Sequence, residues 1–245
     1  VIDGRSANAP DRTFGVFLSR VDVRSGETTV LPYTIWMPRL DTAHAVPISS
    51  PLGADLVVTT PLIPGLEVHI PKGSVIRDHD GRPVSQISIT PIPVDRPPFP
   101  LPTGVEVPVY FTIQPGGGFI ETPNAPWPSG ARVVYPNFTQ QRPGTDFHFW
   151  NYDPEDRGWH VYGQGVVNPS GAQVVPRPGV VIYRFTGTMI NEPGVTPPVD
   201  GPLFGGPRSG DPVDLATGLF VLEKTDLYLA DVMPLNLTRT YRQND

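Results

Sequence analysis

Apolar residues along this chain recur at every second position in short runs, not at helical spacing. Leu66, Val68 and Ile70 alternate with Glu67 and His69, the pattern of a strand with one buried face. Pro71-Lys72-Gly73 turns the chain, and Asp78-His79-Asp80-Gly81 carries an Asp-Gly hairpin signal ahead of a second strand over 84–90. Aromatic and β-branched residues predict further strands over 105–113, 132–135, 146–152, 158–167 and 180–188, with Asn168-Pro169-Ser170-Gly171 as a turn between the last two. Near the start, Phe14, Val16 and Leu18 alternate, Arg24-Ser25-Gly26-Glu27 turns, and 28–31 resumes, which predicts an N-terminal hairpin. At the other end 219–229 and 235–241 read as two strands, with Leu235, Leu237, Arg239 and Tyr241 on one face and Asn236, Thr238 and Thr240 on the other.

Composition turns this list of strands into a fold class. Of 245 residues 33 are Pro and 25 are Gly, so long helices have almost nowhere to form. The two Pro-free windows of 21 residues, 11–31 and 213–233, contain internal Gly and β-branched residues. The expectation is an all-β protein of β-sandwich-like domains joined by Pro/Gly-rich connectors, with a C-terminal β-hairpin-like tail. Six prolines in residues 91–102 predict a stiff connector crossing the edge or end of a sheet. Six Pro and five Gly in residues 191–212 make that stretch the best linker candidate. The expected organisation is closing strands of an upstream module over 1–45, a sandwich leader over 46–190 with a possible split near 115–130, a linker over 191–209, and a distinct segment over 210–245.

Charge and cysteine content narrow the partners. The net charge is −6, and the 18 Lys and Arg, only two of them Lys, are scattered along the chain, so no basic stripe follows a phosphate backbone and nucleic acid is not an expected partner. With no Cys, disulfides, thiolate metal sites and cysteine nucleophiles are excluded. No apolar run is long enough to span a bilayer as a helix, and the N-terminal residues carry neither an initiator Met nor a signal-peptide pattern, as expected of a piece cut from something longer.

Two motifs in the tail carry a resemblance. Gly210-Asp211-Pro212-Val213-Asp214-Leu215-Ala216-Thr217-Gly218 is followed by Leu235-Asn236-Leu237-Thr238-Arg239-Thr240-Tyr241, and together they resemble the opening segment of bacterial rearrangement-hotspot (RHS/YD-repeat) proteins. The resemblance rests on Gly210, Asp211, Pro212, Asp214, Thr217, Gly218, Leu237, Thr238, Arg239 and Tyr241. It implies a secreted or bacterial cell-surface protein in which a downstream shell of YD repeats, often enclosing a toxin, follows in the same polypeptide. It further implies that the upstream residues are a non-catalytic structural leader. Leu66 to Gly73 and Phe149-Trp150-Asn151-Tyr152-Asp153-Pro154 are similar to the β-rich leaders of such proteins, and the first of these also to the sandwich of ankyrins and netrin receptors. Some members of that sandwich family cut themselves at His-Phe-Ser, but His148-Phe149 is followed here by Trp150, which lacks the attacking hydroxyl. Residues 1–40 resemble the closing strands of a transthyretin-like module.

A second functional reading starts from Phe147, Phe149, Trp150, Tyr152, Trp159 and Tyr162. Exposed on a sheet, Trp150, Tyr152, Trp159 and Tyr162 would stack on sugars while Asn151, Asp153 and Gln164 met the hydroxyls, making a module that binds a cell-surface glycan or protein. The plainer reading places these rings in a sandwich core. Acidic groups at Asp78/Asp80, Asp153/Glu155/Asp156 and Asp211/Asp214 offer oxygen ligands, yet none completes a calcium loop, and turn residues bonding their own backbone account for them. His44, His69, His79, His148 and His160 show no metal-binding spacing, and Ser74 sits in no nucleophile elbow. Nothing in the sequence nominates a cofactor, a metal site or a catalytic set.

Overall fold

The computed structural model describes residues 1–7, 12–21, 23–31, 33–99, 101–102, 105, 107–122, 130–155 and 158–191, and the backbone strands of 208–209, 213–214, 221–229 and 235–242. The chain divides into two compact units, Val1–Leu101 with Val105–Pro197 and Pro102–Gly104 with Pro198–Asp245. The first spans both 1–45 and 46–190. Among the described residues there is no helix, and the fold is all-β.

The first unit contains β1 (Ile2–Asp3), β2 (Val16–Phe17), β3 (Val46–Pro47), β4 (Leu56–Thr59), β5 (Glu67–Ile70), β6 (Val75–Arg77), β7 (Gln86–Pro91) and β8 (Val109–Gln114). It continues with β9 (Gly118–Glu121), β10 (Arg132–Pro136), β11 (Asp146–Asp153), β12 (Gly158–Val167), β13 (Gln173–Pro176), β14 (Arg184–Phe185) and β15 (Gly187–Asn191). Ten of these form one antiparallel sheet in the order β3-β7-β8-β15-β11-β12-β13-β10-β5-β4. It curls until β4, at one edge, comes alongside β7 near the other, so the sandwich-like character expected from sequence takes the form of a nearly closed barrel. A second sheet, β14-β9-β6, completes the layer architecture.

Several turns form as their residues dictate while the strands beyond them part company. The Asp78–Gly81 turn closes with Gly81 N–H donating to Asp78 O at 3.0 Å and a bridge between Arg77 and Pro83. β6, just before this turn, joins the small sheet, and the two expected strands, β5 and β7, both enter the large sheet without pairing with each other, β5 between β10 and β4 and β7 between β3 and β8. At the N-terminus Val16–Phe17 pairs with Ile2–Asp3, where the alternation predicted pairing across 24–27. The Asn168–Gly171 turn leads into β13, a strand the sequence pattern did not reveal.

The barrel interior is the main core. Ile87, Ile89, Phe111, Ile113, Tyr135, Phe147, Phe149, Phe185 and Ile190 meet there, each 2% exposed or less. The alternate residues of β7, β8, β11, β12 and β15 face outward, yet Thr90, Tyr110, Thr112, Trp150, Tyr152, Trp159 and Met189 are buried as well. Residues 14–20, 36–41 and 92–99 lie over this outer face. Arg20 N–H donates to Tyr152 Oη at 3.4 Å, Asp41 N–H to Thr90 Oγ1 at 3.0 Å, and Trp36 N–H to Pro97 O at 3.3 Å. Phe17 is 2% and Phe99 1% exposed. The proline-rich stretch thus does more than bridge an edge: it delivers the Phe99 ring onto the sheet.

The second unit contains β16 (Arg208–Ser209) paired with β17 (Val213–Asp214), and a hairpin of β18 (Val221–Leu229) with β19 (Leu235–Arg242). An irregularity between Thr225 and Leu227 shifts the register, placing Leu222, Leu227 and Leu229 opposite Tyr241, Leu237 and Leu235. Polar positions fall opposite each other in the alternate pairs, Glu223 with Thr240 and Thr225 with Thr238.

Candidate functional site

The four rings expected to form a sugar-stacking platform do not lie open. Trp150, Tyr152 and Trp159 are 1%, 7% and 3% exposed and Tyr162 is half-buried. Phe99 stacks on Tyr152 with centroids 4.0 Å apart and planes 6° from parallel, and meets Trp159 edge-on at 5.5 Å. Trp159 in turn contacts Tyr110 at 5.6 Å and Tyr152 at 5.5 Å. The Trp150 indole N–H donates to buried Asn191 Oδ1 at 3.2 Å. Stacking on a ligand needs a free ring face, and the faces of Trp150, Tyr152 and Trp159 are covered by other parts of the chain.

Strand alternation separates the polar residues named with them. Phe147 and Phe149 point into the barrel; Asn151 and Asp153 follow at the next two inward positions, and Asn151 pairs across the ladder with His160. The interior thereby changes from apolar to polar toward one end. Asn151 Nδ2 donates to Gly187 O at 3.2 Å and Thr188 Oγ1 at 3.1 Å, while its Oδ1 accepts from Thr186 Oγ1 at 3.4 Å. At this end a cleft of about 400 Å³ opens, lined by Asn151, Asp153, His160, Tyr162 and the stretch Val181–Arg184. Gln164, the third polar residue of that reading, lies exposed further along β12.

The far wall of the cleft is fixed on both sides. Ala131 and Ile182 exchange two backbone hydrogen bonds of 2.9 Å, and Ile120 N–H donates to Tyr183 O at 3.0 Å. The Tyr183 side chain stands 48% exposed, and Arg184 Nη1 is ion-paired with Glu155 Oε1 at 2.7 Å. Burial holds the Tyr162 phenol well above its ordinary pKa, and the same cause raises Tyr135, whose hydroxyl lies 3.5 Å from that of Tyr162. Both groups are therefore neutral hydroxyls across the physiological range. Sequence reasoning missed Tyr183 and Arg184, because 180–188 read as one strand. Asn151, Asp153 and His160 were within reach of counting outward from the turn after Asp153.

The carboxylate groups act as turn residues where described. Asp78 Oδ1 accepts from Asp80 N–H and Arg82 N–H, both at 2.9 Å, and Asp153 Oδ1 accepts from Glu155 N–H at 2.9 Å. Among the described residues no three His, Asp or Glu gather as a metal-binding group, and no helix is long and apolar enough to cross a membrane. On the outer surface of β5, Glu67 Oε2 meets His69 Nε2 at 2.7 Å and its Oε1 accepts from Gln173 Nε2 at 3.0 Å. His69 first, then Gln173, holds the Glu67 carboxyl below its ordinary pKa.

Of the tail motif, Asp214, Leu237, Thr238, Arg239 and Tyr241 occupy β17 and β19, whereas Gly210, Asp211, Pro212, Thr217 and Gly218 lie outside the described residues. A family described as a domain of unknown function (DUF6531) matches residues 210–245, the same span over which the tail motifs run. Neither the curated proteins nor the solved structures contain a match.

Proposed function

We propose that the chain is a non-catalytic structural region of an exported RHS/YD-repeat protein, secreted or held at a bacterial surface. The β-rich unit is a leader, and the hairpin β18–β19 begins the repeat shell of the same polypeptide. One observation carries this reading. The hairpin has strands of nine and eight residues, one run of paired positions that is largely Leu and Tyr and another that is polar, and no third strand paired to it among the described residues. A two-stranded ribbon of this kind is marginal alone and presents unpaired N–H and C=O groups along both outer edges. Such edges are what further strands of a growing sheet add to. The two ordered motifs of the tail favour the same segment as the point of addition, and the match of 210–245 to a domain of unknown function is not in conflict with it.

Hydrogen exchange tests it. In chain 1–245 alone the outward-facing amides of 221–229 and 235–242 should exchange quickly; in the native full-length polypeptide they should slow by at least about tenfold, the effect of roughly 1.4 kcal/mol of local stabilisation. Equal exchange in the two contexts, or a native polypeptide without YD repeats, overturns the proposal.

A further inference from the structure

We infer that the cleft at the polar end of the barrel binds a neutral saccharide unit, with Tyr183 as its stacking ring and Asp153, His160 and Tyr162 as hydroxyl partners. This site is distinct from the aromatic platform expected from sequence and independent of the tail's role. Four observations converge on it.

The volume of about 400 Å³ lies toward the lower end of the roughly 300–1,000 Å³ typical of small-molecule sites, and the mouth of a β-barrel is a recurrent place for them. A carboxylate, an imidazole, a phenol and a guanidinium surround one space. That mix suits a ligand whose every hydroxyl both donates and accepts. The charges there argue against an anionic ligand: the guanidinium lining the cleft, Arg184, is ion-paired with Glu155 at 2.7 Å. Finally, Tyr183 is an aromatic residue left 48% exposed on backbone that is hydrogen-bonded on both flanks. A ring face held out on a fixed wall is pre-organised to meet the apolar face of a pyranose, with little ordering cost on binding.

The test is amide chemical-shift mapping of the full 245-residue chain with cellobiose, maltose, lactose and chitobiose at millimolar concentration. The expected result is that at least one of them shifts amides of 151–153, 160–162 and 181–184 in fast exchange. Tyr183→Ala and Tyr183→Leu should each weaken that binding by about tenfold, as should Asp153→Asn, the scale on which a lost stacking contact or charge-assisted hydrogen bond registers. Tyr183→Phe, which keeps the ring, should recover most of the affinity that Tyr183→Leu loses, and Trp36→Ala, which removes an exposed aromatic elsewhere, should bind like the parent. The proposal fails if none of the four sugars moves these amides. It fails equally if both non-aromatic Tyr183 variants, shown folded by the same spectra, bind undiminished, or if glucose 6-phosphate binds more tightly than methyl glucoside.

Discussion

Replacing Phe99 by Ala tests whether the outer face of the barrel is a true second core. The ring is 1% exposed, stacked on Tyr152 at 4.0 Å and edge-on to Trp159 at 5.5 Å. Phe→Ala at a packed site costs about 3–5 kcal/mol. The lower part of that range is expected, because the stretch carrying Phe99 has exposed neighbours such as Asp95 and Arg96 and can partly settle toward the sheet. Gly187 supplies an internal control. A methyl at this position would lie 2.6 Å from Phe99 Cζ and 3.1 Å from Trp159 Cη2, so Gly187→Ala should cost about 1–3 kcal/mol by overpacking. In the double variant the methyl falls into space the ring has vacated, so the two losses should sum to at least about 1 kcal/mol more than the double variant shows. Urea unfolding followed by tryptophan fluorescence and circular dichroism reads all three, and Trp159 emission in the native state should shift to the red in F99A. If F99A costs less than about 1 kcal/mol, or the two changes add within about 0.5 kcal/mol, the second core is not there.

Two pH dependences follow. Glu67 has a folded pKa below its ordinary value, so its contribution is present at neutral pH and disappears as pH falls through the folded value. Glu67→Gln should therefore be less stable than the parent at pH 7, with the gap narrowing as pH falls through and below the ordinary carboxylate range in urea titrations at successive pH values; a gap that does not change with pH refutes the reading that His69 and Gln173 stabilise the carboxylate. At the alkaline end, burial raises the Tyr110, Tyr135 and Tyr162 phenols. Their protonated forms belong to the folded state, so stability should be intact below the ordinary tyrosine value of about 10 and fall above it. Ultraviolet titration should show at least these three of the eight tyrosines ionising only together with unfolding, and a single reversible step for all eight near pH 10 would contradict their burial.

Strand identity was legible in this sequence and strand environment was not. The alternation of Leu66 to Ile70 gives β5 its buried Val68 and Ile70 and half-buried Glu67 and His69. The run Asp146 to Asp153 hardly alternates, and the reason is now visible: inward Phe147 and Phe149 and outward Trp150 and Tyr152 are all buried, because the N-terminal segment and the Phe99 stretch cover the outside. Aromatic residues at both odd and even positions of one strand are what burial on both faces requires, but His148 and Asn151 interrupt the run and blur that signal. What covers a face is set by contacts between residues far apart in sequence, such as Arg20 with Tyr152, and these leave no local trace. The cleft was half legible. The period of two puts Asn151 and Asp153 on one face and the turn after Asp153 sets His160 opposite Asn151, but nothing in the spacing brings Tyr183 to them.

Strand β15, the last of the ten in chain order, lies in the interior of the sheet between β8 and β11. A nascent chain emerging from a ribosome therefore cannot close the barrel until residues 187–191 have been made. Until then β8 and β11 each carry a raw edge, and the segment over 1–41, synthesised first, has only part of its seat. Such an arrangement folds late and largely at once, with long-range pairings that are slow to find. Throughout synthesis the unfinished edges are open to mispairing with neighbouring chains, so any delay in completing β15 prolongs that exposure.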